Sequence, residues 1–173
     1  MITLYKLTDQ KGNTQNNTHW EIGATQTMHH TENPKLCSPD VLHAYTNISL
    51  GLLINPIQAD INNPRIFKCK GNVVVSDWGK VGVFELTPTQ EINLPIWYTN
   101  PDLRKQVSVW FAILCAESVL SIFENYDSSD SRPREAIEAA KNYLKNPYAA
   151  EAAALTIKDF EKLADKAVKL GSK

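Results

Sequence analysis

The sequence changes character at Asn100-Pro101. Before that point short runs of β-forming residues are cut by Asn, Gly and Pro; after it, apolar and Ala-rich text continues over helix-length stretches. A chain patterned this way is expected to fold as α+β, with an antiparallel β-rich half over residues 1–100 packed with a helical half over residues 101–173. Its 173 residues suffice for one good core with a smaller helical lobe beside it, so one compact unit of two subdomains is expected, with no room for a third.

The junction reads as a helix start. Asn100 can accept backbone amide bonds as an N-cap, Pro101 suits a first helical position that needs no donor, and Asp102 favours the positive helix end. Downstream, Leu103, Val107, Trp110, Phe111 and Leu114 mark one face, while Ile113, Ala116, Leu120 and Phe123 mark another. A helix apolar on most sides is usually central, so Trp110, Phe111 and Leu114 are expected to be largely buried. Five turn-favouring residues, 127–131, separate it from a second helix over about 133–145. Thr156 and Asp159 resemble a capping box, followed by an apolar stripe of Ile157, Phe160, Leu163, Ala164, Ala167 and Val168.

In the first half, residues 2–8 alternate as a strand and residues 9–13 supply a turn. A short run around Trp20 and a polar loop over 24–35 follow. Residues 41–45 predict a brief strand. Residues 47–54 predict a short buried helix, capped by Thr46 or Asn47 and stopped at Asn55-Pro56, with a buried strand as the alternative. Strands over 65–70, 72–76 and 80–86, broken by Gly71 and by Asp77-Trp78-Gly79, predict a meander; residues 91–98 add a strand broken at Pro95.

Charge narrows the function classes. With 18 basic against 19 acidic residues the net charge is -1, which provides no bulk field for nucleic acid or an anionic membrane. The N-terminus lacks the features of a signal peptide, and no apolar run approaches the roughly 18 residues that span a bilayer. The expected location is cytoplasmic. Cys37, Cys69 and Cys115 form no C-x-x-C pair, in keeping with free thiols in a reducing compartment and with no required cofactor, structural metal or disulfide.

Several residues invite chemistry. Cys37, His43 and Asp40 have the types of a nucleophile, base and orienter, but closeness in sequence does not establish geometry. His29, His30, Cys37 and His43 include zinc-ligand types at a spacing that matches no common site. Lys80-Val81-Gly82, after the Trp78-Gly79 turn, sets a cation beside a small residue where a phosphate could sit; Trp20, in polar sequence, is a candidate stacking platform. No residue is assigned a catalytic role. A ligand site is expected among loops of the first 100 residues, drawing on Trp20, His43, Tyr45, Asn55 and Lys80, which sit at or near element ends. The competing reading has His43 and Tyr45 satisfying core hydrogen bonds and Asn55 stopping a helix.

The succession LYKLTDQKGNTQNNTHWEIG, LCSPDVLHAYTNISLGLLINPIQADINNPRIFKCKG, KVGVFELTPTQEINLP and FAILCAESV resembles a group of uncharacterised small proteins often encoded by bacteriophages and prophages. That resemblance covers nearly the whole chain and implies a small cytoplasmic protein outside the replication and capsid machinery. It points by association to a non-enzymatic binding protein that counters host defence, whose partner is a host protein or a small nucleotide-like signalling ligand. The helical half would then serve as platform or homo-oligomer contact. The order of elements is also distantly similar to ADP-ribosyltransferase-like folds, which implies a nucleotide- or NAD-directed enzyme as the alternative. The Arg-Pro-Arg-Glu-Ala text within residues 131–145 is similar to some bacterial immunity-like proteins.

Overall fold

A computed structural model describes residues 2–15 and 18–144. Five strands and a first helix come before four residues of helical turn and two further helices, in the order β1 (Ile2–Thr8), β2 (Gln26–Thr27), β3 (Leu42–Ala44), α1 (Ile48–Gln58), β4 (Arg65–Ser76), β5 (Val81–Ile92), α2 (Ile96–Thr99), α3 (Pro101–Tyr126) and α4 (Arg132–Tyr143). The fold is α+β, with the antiparallel sheet in the N-terminal half and helices in the C-terminal half. Two compact units divide between Leu94 and Pro95, and each is described separately.

The β-rich unit is organised by a long β4–β5 hairpin. β1 adds antiparallel to β4, from Ile2 opposite Gly71 to Thr8 opposite Arg65, while β3 and β2 pair with successive stretches of β5. Tyr5 and Tyr45 then exchange backbone hydrogen bonds of 2.8 and 2.9 Å. This exchange links the end of β3 back to β1 and closes the circuit β1-β4-β5-β3 at that one point. Leu4, Trp20, Leu42, Ala44, Phe67, Cys69, Val81, Val83 and Leu86 form the core.

Three expectations for this unit change. Gly71 does not end a strand: it lies inside the continuous β4, where a Cβ would stand 2.8 Å from the Glu85 carbonyl oxygen. Its missing side chain lets the hairpin strands approach at a register irregularity, the usual meaning of glycine within a strand. Pro56 does not stop α1, which runs on to Gln58 with Asn47 as its N-cap; the Asn47 side chain accepts from the Leu50 amide. Asn55 closes that helix two residues after Pro56, its carbonyl accepting from both Ala59 and Asp60. Residues 91–98 are not one strand either, because β5 ends at Ile92 and Pro95 instead precedes the single turn of α2.

In the helical unit, Asn100 caps α3 by accepting from the amides of Asp102 and Leu103, with Pro101 at the first position. Trp110, Phe111 and Leu114 are partly covered and not sealed from solvent; Val107 and Ile113 are the fully buried residues of α3. Apolar residues surround the helix, whereas α4 covers it mainly along the side where Ile113 meets Ile137 and Leu144. The expectation that no stretch is apolar enough to span a bilayer also needs correction. By length and composition α3 is sufficient to cross a membrane. Ser108, Glu117 and Ser118 interrupt strict apolar runs, but Glu117 is the only charge between Lys105 and Glu124, so the average stays high. The proposed capping box at Thr156 and Asp159 and the stripe from Ile157 to Val168 lie outside the described residues.

Candidate functional site

Alternation along β1 carries the first element of the site. Leu4, Lys6 and Thr8 share one face by the two-residue period, and Leu4 and Thr8 are fully buried. Lys6 is thereby brought in among them. Its ammonium donates to the His43 carbonyl at 2.7 Å and stands 4.6 Å from the centre of the Trp20 ring, a cation–π contact. No carboxylate forms an ion pair with it among the described residues. Loss of hydration lowers its pKa to about 8, so the group remains mostly charged at neutral pH despite its enclosure.

Lys6 lines a cavity of about 630 Å³ that lies wholly within the β-rich unit. Trp20, Cys37, His43, Tyr45, Gln58 and Lys80 also line it, along with smaller polar and apolar groups, and no carboxylate side chain contributes to the described lining. The volume suits a small organic molecule. Two lysines, Lys6 and Lys80, line it, and the nearby Asp77 acts on His43 and Tyr45 without entering the described lining.

Local turn chemistry supplies Lys80. Asp77 accepts from the backbone amides of Gly79 and Lys80, both at 2.7 Å, and its own amide donates to the Lys80 carbonyl. This Asx-type turn fixes the start of β5. The Lys80 ammonium then reaches the Cys37 sulfur at 3.1 Å. Cys37 itself is exposed, on a loop held by Ser38 donating to the Lys35 carbonyl and by Asp40 accepting from the Lys35 amide.

His43 does not meet the Cys37 thiol as a base would. Its Nε2 accepts the Cys37 backbone amide at 3.0 Å, which leaves the proton of the neutral ring on Nδ1. Burial, followed by the nearby charges of Lys80 and Lys6, lowers its pKa to about 4 against a weaker opposing pull from Asp77. Asp40 is engaged with the Lys35 amide instead of orienting the imidazole. The Cys37, His43, Asp40 triad considered from the sequence is therefore absent as a hydrogen-bonded relay. No set of three or more His, Cys, Asp or Glu side chains converges on a metal position among the described residues. His30 packs on Phe84 with ring centres 4.3 Å apart.

The five sequence-selected ligand residues divide four to one. Trp20, His43, Tyr45 and Lys80 line the same cavity, while Asn55 lies outside its lining. Trp20 is only 2% exposed and its indole donates to Thr14 at 2.9 Å, which makes it a fixed wall instead of an open stacking platform. Tyr45 packs close to α1 at Gly51, where an added Cβ would stand 2.8 Å from the ring; burial, then Asp77, pushes its phenol up to about 12. Asn55 is buried and bonds the backbone of Ile61 from both ends of its amide, fixing the chain that carries Gln58, Ala59 and Ile61 to the cavity wall.

Sequence inspection missed Lys6, Cys37 as a cavity residue, and Gln58. The strand alternation contained the signal for Lys6, since a cation in phase with Leu4 and Thr8 must point inward. Nothing in the local sequence marks Gln58, whose Oε1 is buried without a hydrogen-bond partner. Such an acceptor is costly unless something supplies a donor.

In the helical unit, Val109, Ala112, Ala116, Val119, Phe123 and Ala136 are among the residues that line an apolar groove between α3 and α4. Val119, Ile122 and Tyr126 are exposed on α3. Residues 99–170 match a family described as Imm-5 like putative immunity protein. No curated protein matches the chain, and no solved structure matches it. The family match spans α3 and α4 and encloses the stretch whose Arg-Pro-Arg-Glu-Ala text is similar to immunity-like proteins; it is compatible with a non-enzymatic, immunity-type role.

Proposed function

We propose that this is a non-enzymatic binding protein of immunity type, acting in the cytoplasm, whose β-rich unit sequesters a small anionic ligand of nucleotide-like size. The observation that carries this reading is the cavity holding Lys6 and Lys80 with no acidic side chain in its described lining. A half-buried ammonium held by a carbonyl and an aromatic ring, with no carboxylate ion pair among the described residues, costs stability, and a bound anion would offset that cost while gaining charge-assisted hydrogen bonds. A phage-borne protein that removes a host signalling molecule would have this chemistry.

The enzymatic alternative draws less support from the same cavity. Transfer chemistry on a nucleotide or NAD-like substrate commonly uses a carboxylate to steady developing positive charge, and no Asp or Glu lines the described cavity. A host-protein partner has a separate observation in its favour, the exposed apolar side chains of α3. The test is a thermal-shift series with inorganic phosphate, pyrophosphate, nucleoside mono- and diphosphates and dicarboxylates. Saturable stabilisation by one anionic class supports sequestration; no shift with any of them, alongside stoichiometric capture of a host protein by the helical face, removes it in favour of protein binding.

A further inference from the structure

The outward side of α3 carries a repeat that packing against α4 leaves open. Ser108, Ala112, Cys115, Val119, Ile122 and Tyr126 follow one another at steps of four, three, four, three and four residues, the spacing of a coiled-coil seam over about 27 Å of helix. Cys115 is half-buried and the other five are exposed, Val119 by 54%, Ile122 by 68% and Tyr126 by 91%. Ala112 and Val119 also border the groove beside α4. Charges avoid the seam: between Lys105 and Glu124 the one charged side chain of α3 is Glu117, which turns to Lys141 of α4.

We propose that this seam is the contact between two copies of the chain, with α3 of one running antiparallel to α3 of the other. A two-fold axis level with Glu117 sets Ser108 opposite Tyr126, Ala112 opposite Ile122 and Cys115 opposite Val119, each pair occurring twice. Every pair joins a small side chain to a larger one, so the small half of the seam is the hole for the large half of the second copy. A parallel pair would set Tyr126 on Tyr126 and Ser108 on Ser108, crowding one end and leaving the other empty.

Charge at the helix ends agrees. Lys105, one step further along the same seam and in no ion pair among the described residues, falls level with residues 127–130 of the second copy, where Asp127 follows a final turn of α3 that holds no basic residue. An antiparallel mate brings a cation to the carbonyl end of the helix at both ends of the contact. A lipid bilayer fits α3 by length and composition but not by its surroundings. Arg134 and Lys141 of α4 are tied to Glu124 and Glu117 along α3, and insertion would carry those charges into hydrocarbon. A second copy needs only the open seam. This contact is independent of the anion cavity, which lies in the other unit.

Sedimentation equilibrium of the full chain, with circular dichroism recorded beside it, is the first measurement. A concentration-dependent dimer is expected, and Ile122→Lys should weaken it by about tenfold or more without changing the dichroism spectrum, since the position is exposed in the single chain. Mild oxidation of a Val119→Cys variant should form an intermolecular disulfide to the native Cys115 of the second copy, mapped by peptide mass, and adding Cys115→Ser should abolish that link. A protein that stays monomeric at every concentration, or a dimer indifferent to both Ile122→Lys and Tyr126→Lys, would overturn the contact. Disulfides joining like positions alone, 115 to 115 and 119 to 119, would overturn the antiparallel arrangement and with it the proposal. Binding of the monomer to phosphatidylcholine vesicles that Ile122→Lys abolishes would give the seam to a bilayer and overturn it equally.

Discussion

The two units dispose of polar and apolar side chains in opposite ways. The β-rich unit closes its strands around Leu4, Phe67, Val83 and Leu86, yet admits the Lys6 ammonium to the lining of a cavity. The helical unit keeps charges outside, paired as Arg134–Glu124 and Lys141–Glu117, and leaves Val119, Ile122 and Tyr126 exposed. One unit therefore holds a cation where solvent is scarce, and the other presents apolar surface where water is plentiful. Each is a departure from the ordinary inside-outside rule.

The largest difference should come from core truncation. Phe67→Ala removes a ring that is only 2% exposed, and the expected loss is about 3 to 5 kcal/mol by chemical denaturation. Leu114→Ala, at a half-buried position of α3, should cost roughly 1 kcal/mol, below the usual range for a buried leucine. Equal losses at the two positions would erase the distinction between a closed core and a partly covered helix.

Next in size is a gain. Lys6→Met should raise stability at pH 7 by an amount on the order of 1 to 3 kcal/mol, because it removes a charge whose desolvation is only partly compensated. The sign follows from proton uptake. Between a folded pKa of about 8 and an unfolded one of 10.5 the unfolded chain binds more protons, so native stability rises with pH across that window. Below pH 8 the burial cost is present in full, and above about 10.5 it has gone; the advantage of Lys6→Met over the native chain should therefore shrink from pH 8 to 10.5 in urea titrations. A destabilised Lys6→Met variant at pH 7 would mean that the ammonium is already well compensated.

A smaller dependence belongs to His43. Its folded pKa of about 4 lies below the ordinary 6.5, so the unfolded state again binds more protons between those values and stability rises as pH increases from 4 to 6.5. His43→Gln should flatten that part of a melting-temperature profile, whereas an unchanged slope would place its origin elsewhere. The smallest expected effect is at the helical surface. Glu117→Gln breaks the 2.6 Å contact with Lys141, yet Glu138 still reaches the same ammonium at 3.0 Å, and the denaturation midpoint should not move measurably.

The legibility of these two units also differs. β1 was readable from its alternation, and the start of α3 from Asn100, Pro101 and Asp102, because the determinants are local. The continuous β4 was not readable, since Gly71 has the residue type of a turn and only its close neighbour Glu85 reveals a strand passing through. Pro56 likewise looks like a stop, but tertiary packing around buried Leu50, Leu52, Ile54 and Asn55 carries α1 beyond it. Burial along α3 could not be inferred from its apolar content because coverage depends on partners. As for the cavity, Trp20, His43, Tyr45 and Lys80 were recognisable as polar or amphipathic residues near element ends. Their convergence on Lys6 and Cys37 depends on closure through Tyr5 and Tyr45, a contact forty residues apart that no local pattern encodes.

The central claim, that the cavity-lining cations of the β-rich unit hold an anion, is tested most directly by calorimetric titration of the native chain, Lys6→Met and Lys80→Met with the anion that gives the greatest thermal stabilisation. The account predicts a single saturable site in the native protein and at least a tenfold loss of affinity in each variant, with Lys6→Met simultaneously more stable when unliganded. Native-like affinity in both folded variants would contradict it.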